Sequence, residues 1–492
     1  MEKFLKIIKN NVLIITAVLF FANAMSVEAL QIVYPKSQSI QVCAGSTFFV
    51  GNTTPDSKLT INGKEVKVYE NGSFVEVVPL KEGINTIKIN SQNETEDVTY
   101  TYTIKKVAKT NPDVQEPETE EFPANEYIYS LIVKDHTPLR AQPDENAKRV
   151  THLDHNTILM LNGKKGDYYR VSLTPGQNAW VKSSNIVNYS TITEKMLASA
   201  TSVTLTEDKL YNYIKTDLSF QVPFVVTETD KGLNLELYSV RENPAHTTIF
   251  KPLGEVKSFA INNVSTDATS SYYIELKNRL WGYNAYYEGN TLVLKIRKKP
   301  ELNSKQPLKD ITIAIDPGHG GNDSGAIGPT AVKEKDINLD ISKRLQTLLE
   351  KSGATVVMTR TDDSTVDLYE RPKKAQEANA LIMVSIHANA LPDGADPYAK
   401  HGTSVFYYNA EAVELAKVLR DTLTKDLATR DDGVCKASYV LTRPTIPLSV
   451  LVEVAYMIHP YEYTLLLDEN FRQSAAESIE KGIRNYILDN VK

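Results

Sequence analysis

The sequence predicts a multidomain chain in which all-β modules precede a three-layer α/β domain. Three observations carry this reading. Turn dipeptides between short alternating apolar stretches dominate residues 30–300. From about Ile311 apolar strands alternate with amphipathic helices. At 492 residues the chain has room for about three to five domains of ordinary size. The composition, 41% hydrophobic and 24% charged, is that of a folded protein rather than a disordered or fibrous one. A formal charge of −6 argues against nucleic acid as a partner, since such binders usually present a basic face.

Residues 1–29 read as a secretory signal peptide. Lys3, Lys6 and Lys9 precede an apolar run from Val12 to Ala22, and small residues follow in "ANAMSVEAL". The run is short for a membrane span. The expectation is an exported chain, in the periplasm or in the cell wall and beyond, with no stable span after cleavage. Only Cys43 and Cys435 are present, in different domains, so no disulfide framework is expected.

Residues 30–107 read as a β-sandwich. "LTINGKEVKVYENGSFVEVV" carries Asn62-Gly63 and Asn71-Gly72, both read as hairpin signals, and "GINTIKIN" adds a strand. The stretch resembles a bacterial immunoglobulin-like sandwich. Residues 108–126, acidic and proline-containing, read as an extended, solvated linker. In residues 127–189, "TPLRAQPDENAKRVTHL", "DYYRVSL" and "NAWVKSSNIV" resemble the bacterial Src-homology-3-like barrel, with Tyr168, Tyr169 and Trp180 lining either a groove or the barrel core. Residues 190–300, ending in "NRLWGYNAYYEGNTLVLKIRKK", resemble the AMIN domain, a β-module found ahead of cell-wall amidases.

Residues 301–492 carry the α/β pattern. The expected elements are the strands ITIAI, ATVVMTR, LIMVSI, GTSVFYY, YVLTR and SVLVEVAY, with helices at 336–352, 367–379, 410–426 and near 470–488. In the first helix Ile337, Ile341, Leu345 and Leu348 share a face. Sites in such sheets collect beyond the strand ends. Here the strand ends are polar in an unusual way. "AIDPGHGG" places His319 in a glycine-rich turn, "SIHANA" places His387 directly after an apolar strand, and Glu453 interrupts "SVLVEVAY". Glu334 sits at a helix N-terminus. Singly, each has a plain structural explanation: a hydrogen-bonded histidine, or a first-turn charge matched to the helix dipole. Together, two histidines and a carboxylate form a catalytic zinc set with an open position, and a second carboxylate can act as base without being a ligand.

"IDPGHGGNDSGAIG", "EKDINLDISKRLQTLLEKSGATVVMTRTDD", "ERPKKAQEANALIMVSIHANA" and "LVEVAYMIHP" resemble, in order, the zinc-dependent N-acetylmuramoyl-L-alanine amidases, over residues 309–489. The resemblance implies His319, Glu334 and His387 as zinc ligands and Glu453 as the catalytic glutamate. It also implies hydrolysis of the amide between N-acetylmuramic acid and the L-alanine of the stem peptide by zinc-activated water. Peptidoglycan is the implied partner, and the chain reads as a monomer. Rival readings are a zinc peptidase cutting within the stem peptide and an inactive wall-binding scaffold. Gln376, Ala455, Tyr456 and His459 depart from residues usual in the family. Asp316 and Asp323 read as turn residues or partners of His319, with the turn reading preferred for Asp323. Arg360, Arg371 and Arg443 read as surface or ion-pair residues, or as contacts to an anionic peptide; His401 and His459 are not taken as ligands. Some family members carry a helical plug after the strand matching GTSVFYY. Here Tyr408 runs into an ordinary amphipathic helix, which implies an open site and an active domain 301–492. The β-rich front would tether it to the wall.

Overall fold

The computed structural model of the chain describes residues 30–108, 118–123, 126–192, 194–241 and 243–491; the signal-peptide reading of residues 1–29 lies outside them. Among the described residues no helix is long and apolar enough to cross a membrane. Cys43 and Cys435 are free thiols.

The first module is two packed sheets. Leu30–Tyr34, Ser46–Thr53 and Ser73–Pro79 form one; Ser39–Val42, Lys58–Ile61, Lys64–Val66, Gly83–Gln92 and Asp97–Lys106 form the other. Leu30, Phe49, Phe74, Ile89 and Ile104 close the core between them. Asn62 and Gly63 both take positive φ, 51° and 79°, and turn a tight hairpin between Ile61 and Lys64. Asn71-Gly72 does something else. Asn71 Oδ1 accepts from the Ser73 amide at 3.0 Å, and the strand that follows pairs with Ser46–Thr53 in the other sheet. A side-chain turn there redirects the chain between sheets instead of closing a hairpin.

The second module is a single curled sheet whose strands run Arg149–Leu153, Thr137–Arg140, Gln177–Lys182, Tyr168–Thr174, Ile158–Lys165, Tyr127–Ile132 and Ile186–Ile192. Its last strand runs past residue 189. The acidic stretch is not solvated to its end: Glu120–Glu121 pairs with Ile158–Lys165, and Glu121 forms an ion pair with Arg170. Tyr168 and Trp180 are buried; Tyr169 is half-buried. The third module is two antiparallel four-stranded sheets. It shares one continuous apolar cluster with the second, in which Val171 and Val181 join Leu235, Tyr272 and Leu294.

The C-terminal domain is built on a six-stranded sheet in the order Thr355–Met358, Thr312–Pro317, Ile382–Asn389, Leu448–Tyr456, Thr403–Tyr407, Asp431–Lys436. The first four strands are parallel, and Thr403–Tyr407 opposes Leu448–Tyr456. Five helices follow: α1 (Glu334–Lys351), α2 (Glu370–Glu377), α3 (Val413–Leu427), α4 (Pro460–Leu467) and α5 (Glu469–Asn490). Strand side chains alternate between faces. Ile313, Ile315, Ile382, Val384, Ile386, Val450 and Val452 pack with Ile341 of α1, Leu419 of α3 and Ile483 of α5 in the main core. Ala314, Met383 and Leu451 point the other way, against Ala375 of α2 and Leu441. That face has thin cover, and by the same alternation it is the face of His387 and Glu453.

One sequence expectation needs correction. YVLTR is not a strand. Thr442 Oγ1 donates to the Ala437 carbonyl at 2.7 Å and accepts from the Tyr439 amide at 3.2 Å, a side-chain turn that competes with strand pairing. Leu441 and Thr442 are buried there. The sixth strand is instead Asp431–Lys436, polar and on the sheet edge. The last helix stands where the sequence places it, as α5, capped by Asp468, whose side chain accepts from the Asn470 amide; the short α4 precedes it and was not expected. In α1 the buried register is Ile337, Ile341, Leu345 and Leu349, with Leu348 half-buried. Tyr408 leads through a short turn into α3, whose Leu415, Leu419 and Leu423 pack into the core; it is not a plug.

The front modules grip this domain. Trp281 of the third module is 1% exposed inside the C-terminal core, edge-on to Tyr486 at 5.9 Å. Tyr211 donates to Asn379 Oδ1 at 2.9 Å, and Arg297 to the Asn379 carbonyl at 3.0 Å.

Candidate active site

His319, Glu334 and His387 offer ligand atoms within 4.8 Å of one another. Each is set by a different element. His319 follows the strand Thr312–Pro317 and takes a left-handed φ of 61°, uncommon for a residue with a side chain. Glu334 is the first residue of α1, and His387 ends the apolar run of its strand. Neighbouring glycines are required by space: a Cβ on Gly318 would lie 2.3 Å from the His387 ring, and one on Gly325 would lie 2.4 Å from Glu334 Oε2. The turn is glycine-rich because the two histidines and the carboxylate occupy the volume side chains would need.

His319 Nε2 lies 3.2 Å from Glu334 Oε2, and His387 Nδ1 lies 3.0 Å from Glu334 Oε1. The amides of Ala326 and Ala388 also donate to Glu334, at 2.8 and 3.2 Å, as does Asn338 at 3.1 Å. Burial opposes ionisation of Glu334, but the hydrogen bonds from His319 and His387 outweigh it and hold the carboxyl well below the usual range. For His319 burial favours the neutral ring; hydrogen bonds and charge from Glu334 and Asp323 prevail and raise it to about 9.

Glu453 pairs in register with His387 on one side and Ser404 on the other. The residue retains some exposed surface, but Oε2 is fully covered and has no hydrogen-bond partner. Burial first, then the Glu334 charge, raise its carboxyl well above the ordinary range. His387 Nε2 is likewise buried without a partner. Buried polar atoms are rarely left so. A converging His–Glu–His group, an orphaned imidazole nitrogen and an orphaned carboxyl beside it fit a divalent cation with an open side.

Asp323 accepts from the Gly325 amide at 3.1 Å and also holds His319 Nδ1 at 2.8 Å, so it is both the turn residue the sequence favours and a partner of His319. Asp316 is fully buried and accepts from Ser385, Thr359 and Arg371. Arg360 and Arg371 are both buried, and Arg371 makes the ion pair the sequence allowed, with Asp316 at 2.9 Å. Arg360 donates to the carbonyls of Pro317 and Gly318, both at 2.9 Å, and Arg371 to those of Pro317 and His319, at 2.9 and 2.7 Å. Their guanidinium forks fix the turn that presents His319. Arg443 is half-buried, with no carboxylate partner within 4 Å among the described residues.

A second cluster gathers His401, His459 and Glu462. His401 Nδ1 is 2.7 Å from Glu462, and the two rings stack at 4.2 Å, 14° from parallel. A metal bound in plane by one ring would lie out of the plane of the other, so the cluster as folded is a hydrogen-bonded brace. His459 also caps α4, accepting from the Glu462 amide at 3.2 Å. Among the other family departures, Tyr456 is buried and donates to Asp432 at 2.8 Å, Ala455 is buried in the core, and Gln376 faces solvent.

The fold and site define an α/β domain with a candidate metal group at the carboxyl ends of its sheet. Residues 313–485 match the family model for N-acetylmuramoyl-L-alanine amidase, and the C-terminal domain belongs to that family. The chain is 38% identical over 202 residues to the N-acetylmuramoyl-L-alanine amidase LytC of Bacillus subtilis, covering 40% of this chain and 39% of that protein. It is 38% identical over 184 residues to the probable cell wall amidase LytH of Staphylococcus aureus, covering 37% of this chain and 60% of that one. Among solved structures, the amidase AmiC2 of Nostoc punctiforme is 36% identical with a TM-score of 0.35, covering 36% of this chain and 97% of that chain. The chain thus spans less than two thirds of these curated relatives.

Proposed function

We propose that the chain is an exported, monomeric peptidoglycan hydrolase. It cleaves the amide between N-acetylmuramic acid and the L-alanine that begins the stem peptide. The observation that carries this is the orphaned Glu453 carboxyl, in register with His387 and within electrostatic reach of Glu334, inside a domain of the amidase family. His319, Glu334 and His387 would hold zinc, which when bound polarises a carbonyl and lowers the pKa of water beside it. Glu453 accepts a proton from the attacking water at a carboxylate oxygen and returns it to the departing alanine nitrogen. Asp323 keeps His319 in one tautomer, and Arg360 and Arg371 keep the turn in place. We read the front modules as immunoglobulin-like, Src-homology-3-like and AMIN-like, and as contacts to the wall.

Digestion of purified peptidoglycan by the full chain, read by mass spectrometry, tests the function. The expected products are glycan strands and free peptides beginning with L-alanine. Released sugars, or peptides cut internally, would overturn it. Chelation should abolish release and zinc restore it.

A further inference from the structure

We propose that the first β-sandwich is a working part of the active site: it pins the loop that joins His319 to Glu334 and the loop that follows the His387 strand, with Asn52 and Asp393 as positioning residues. The inference rests on the reading of that group as catalytic. One loop, residues 318–333, joins His319 to Glu334. The other, residues 390–402, joins the His387 strand to the strand beside Glu453. Both exceed about 12 residues without a helix or strand of their own, a length at which loops are functional and need outside restraint.

The sandwich reaches both. Asn52, itself buried, donates to the Pro329 carbonyl at 2.7 Å, five residues before Glu334. Asp393 accepts from the hydroxyls of Tyr34 and Thr47, each at 2.7 Å, and Tyr398 donates to the Val75 carbonyl at 3.0 Å. Phe48, Val50 and Val75 bury Ile458, two residues beyond the Glu453 strand, with Tyr34 and Leu391 at the margin. From Tyr398 the contacts continue inward: its ring meets His459 edge-on at 5.9 Å, and His459 stacks on His401. Glu462 accepts from the amides of Gly402 and Tyr456, at 3.2 and 2.8 Å. Gly402 opens the strand opposite Glu453, and Tyr456 closes the Glu453 strand. A module serving only as a tether has no reason to bury side chains against these particular loops. This one touches the loop between His319 and Glu334, the loop after the His387 strand, and Ile458 just beyond the Glu453 strand.

The test uses the full chain carrying Asp393→Ala, Asn52→Ala or the milder Tyr34→Phe. It measures zinc affinity by chelator competition, amide hydrogen exchange, and kcat and KM on a soluble glycopeptide fragment of peptidoglycan. Misplacement of reacting groups by about an ångström costs up to ~10²-fold. Asp393→Ala should therefore lower kcat about 10- to 100-fold with KM within about twofold, and speed exchange in residues 390–402. Asn52→Ala should weaken zinc binding and speed exchange in residues 322–333. Tyr34→Phe combined with Asp393→Ala should be no worse than Asp393→Ala alone. Unchanged zinc affinity, exchange and kcat in both alanine variants would overturn the proposal. A rise in kcat would also overturn it, making the contact a restraint. If the unsubstituted chain releases no peptide, the catalytic reading fails, while the zinc and exchange measurements still decide the pinning.

Discussion

The Asp323 carboxylate lies 2.8 Å from Nδ1 of His319, four residues along the same turn. That contact commits Nδ1 to Asp323 and leaves Nε2 to face Glu334. Partners of this kind typically carry 10–100-fold in metal affinity. Asp323→Ala should weaken zinc binding by about that factor. Asp323 is exposed, so the melting temperature should hardly move. Chelator competition and a melting curve on one preparation check both halves.

Glu453→Gln keeps the shape of the side chain and removes its proton chemistry. Zinc content and melting temperature should stay near those of the parent, while turnover falls ~10²–10⁴-fold, about 3–5 kcal/mol of barrier. A variant that keeps its zinc and hydrolyses at the parental rate would remove Glu453 from the mechanism.

Arg371 and Arg443 should fail differently. Arg371 and Asp316 are both buried and 2.9 Å apart, so Arg371→Ala strands a buried carboxylate at a cost of about 3–5 kcal/mol. Denaturant unfolding should report it. Among the described residues Arg443 donates to Ser438 and Tyr369 and to no carboxylate, and it lies within electrostatic reach of Arg149 and Arg140. Unpaired guanidiniums attract carboxylates. Arg443→Ala should raise KM for stem peptides bearing free carboxylates and spare stability.

His152 gives a pH signature. Burial, then the charges of Arg149 and Arg443, lower its pKa from 6.5 to about 4. Between those values the unfolded chain takes up a proton that the folded chain refuses. Stability from this group is therefore complete above pH 6.5 and is lost as pH falls toward 4, at up to ~1.4 kcal/mol per pH unit. His152→Gln should flatten that stretch of the stability–pH curve.

Fragments test where the catalytic unit begins. The sequence reading puts its start at residue 301, but Trp281 lies in its core. Losing a buried tryptophan costs about 3–5 kcal/mol. A fragment 127–492, which keeps Trp281 and leaves the shared cluster of the second and third modules closed, should melt well above 301–492 and retain more activity. Residues 30–300 alone should co-sediment with peptidoglycan if the front modules also tether; sedimentation of 301–492 only would end that role.

Three of the four residues proposed for the site stand out in the sequence because each breaks a local rule: a histidine among glycines, a histidine ending an apolar strand, a carboxylate inside one. Glu334 opens a helix, where a carboxylate is ordinary. Asp323 was harder, since an aspartate in a glycine turn already has a sufficient reason to be there. Arg371 is the ion-pair residue the sequence allowed, through Asp316, but nothing local reveals that Arg360 and Arg371 also hold backbone carbonyls of the turn that carries His319. Tyr439–Arg443 was misread as a strand on its apolar content, whereas its hydrogen bonds go to Thr442. Asn52, Asp393 and Trp281 act across modules more than 150 residues apart in the chain, beyond the reach of any pattern window.

The apolar cluster that runs unbroken from the second module into the third sets what can be exchanged by recombination. A breakpoint between them would open two half-cores to water, and neither half could be grafted alone onto another hydrolase. Transfer of residues 127–297 as a single cassette keeps that core closed. Shuffling of this architecture is therefore expected to move the pair together, so its sequence shows four segments where inheritance sees three.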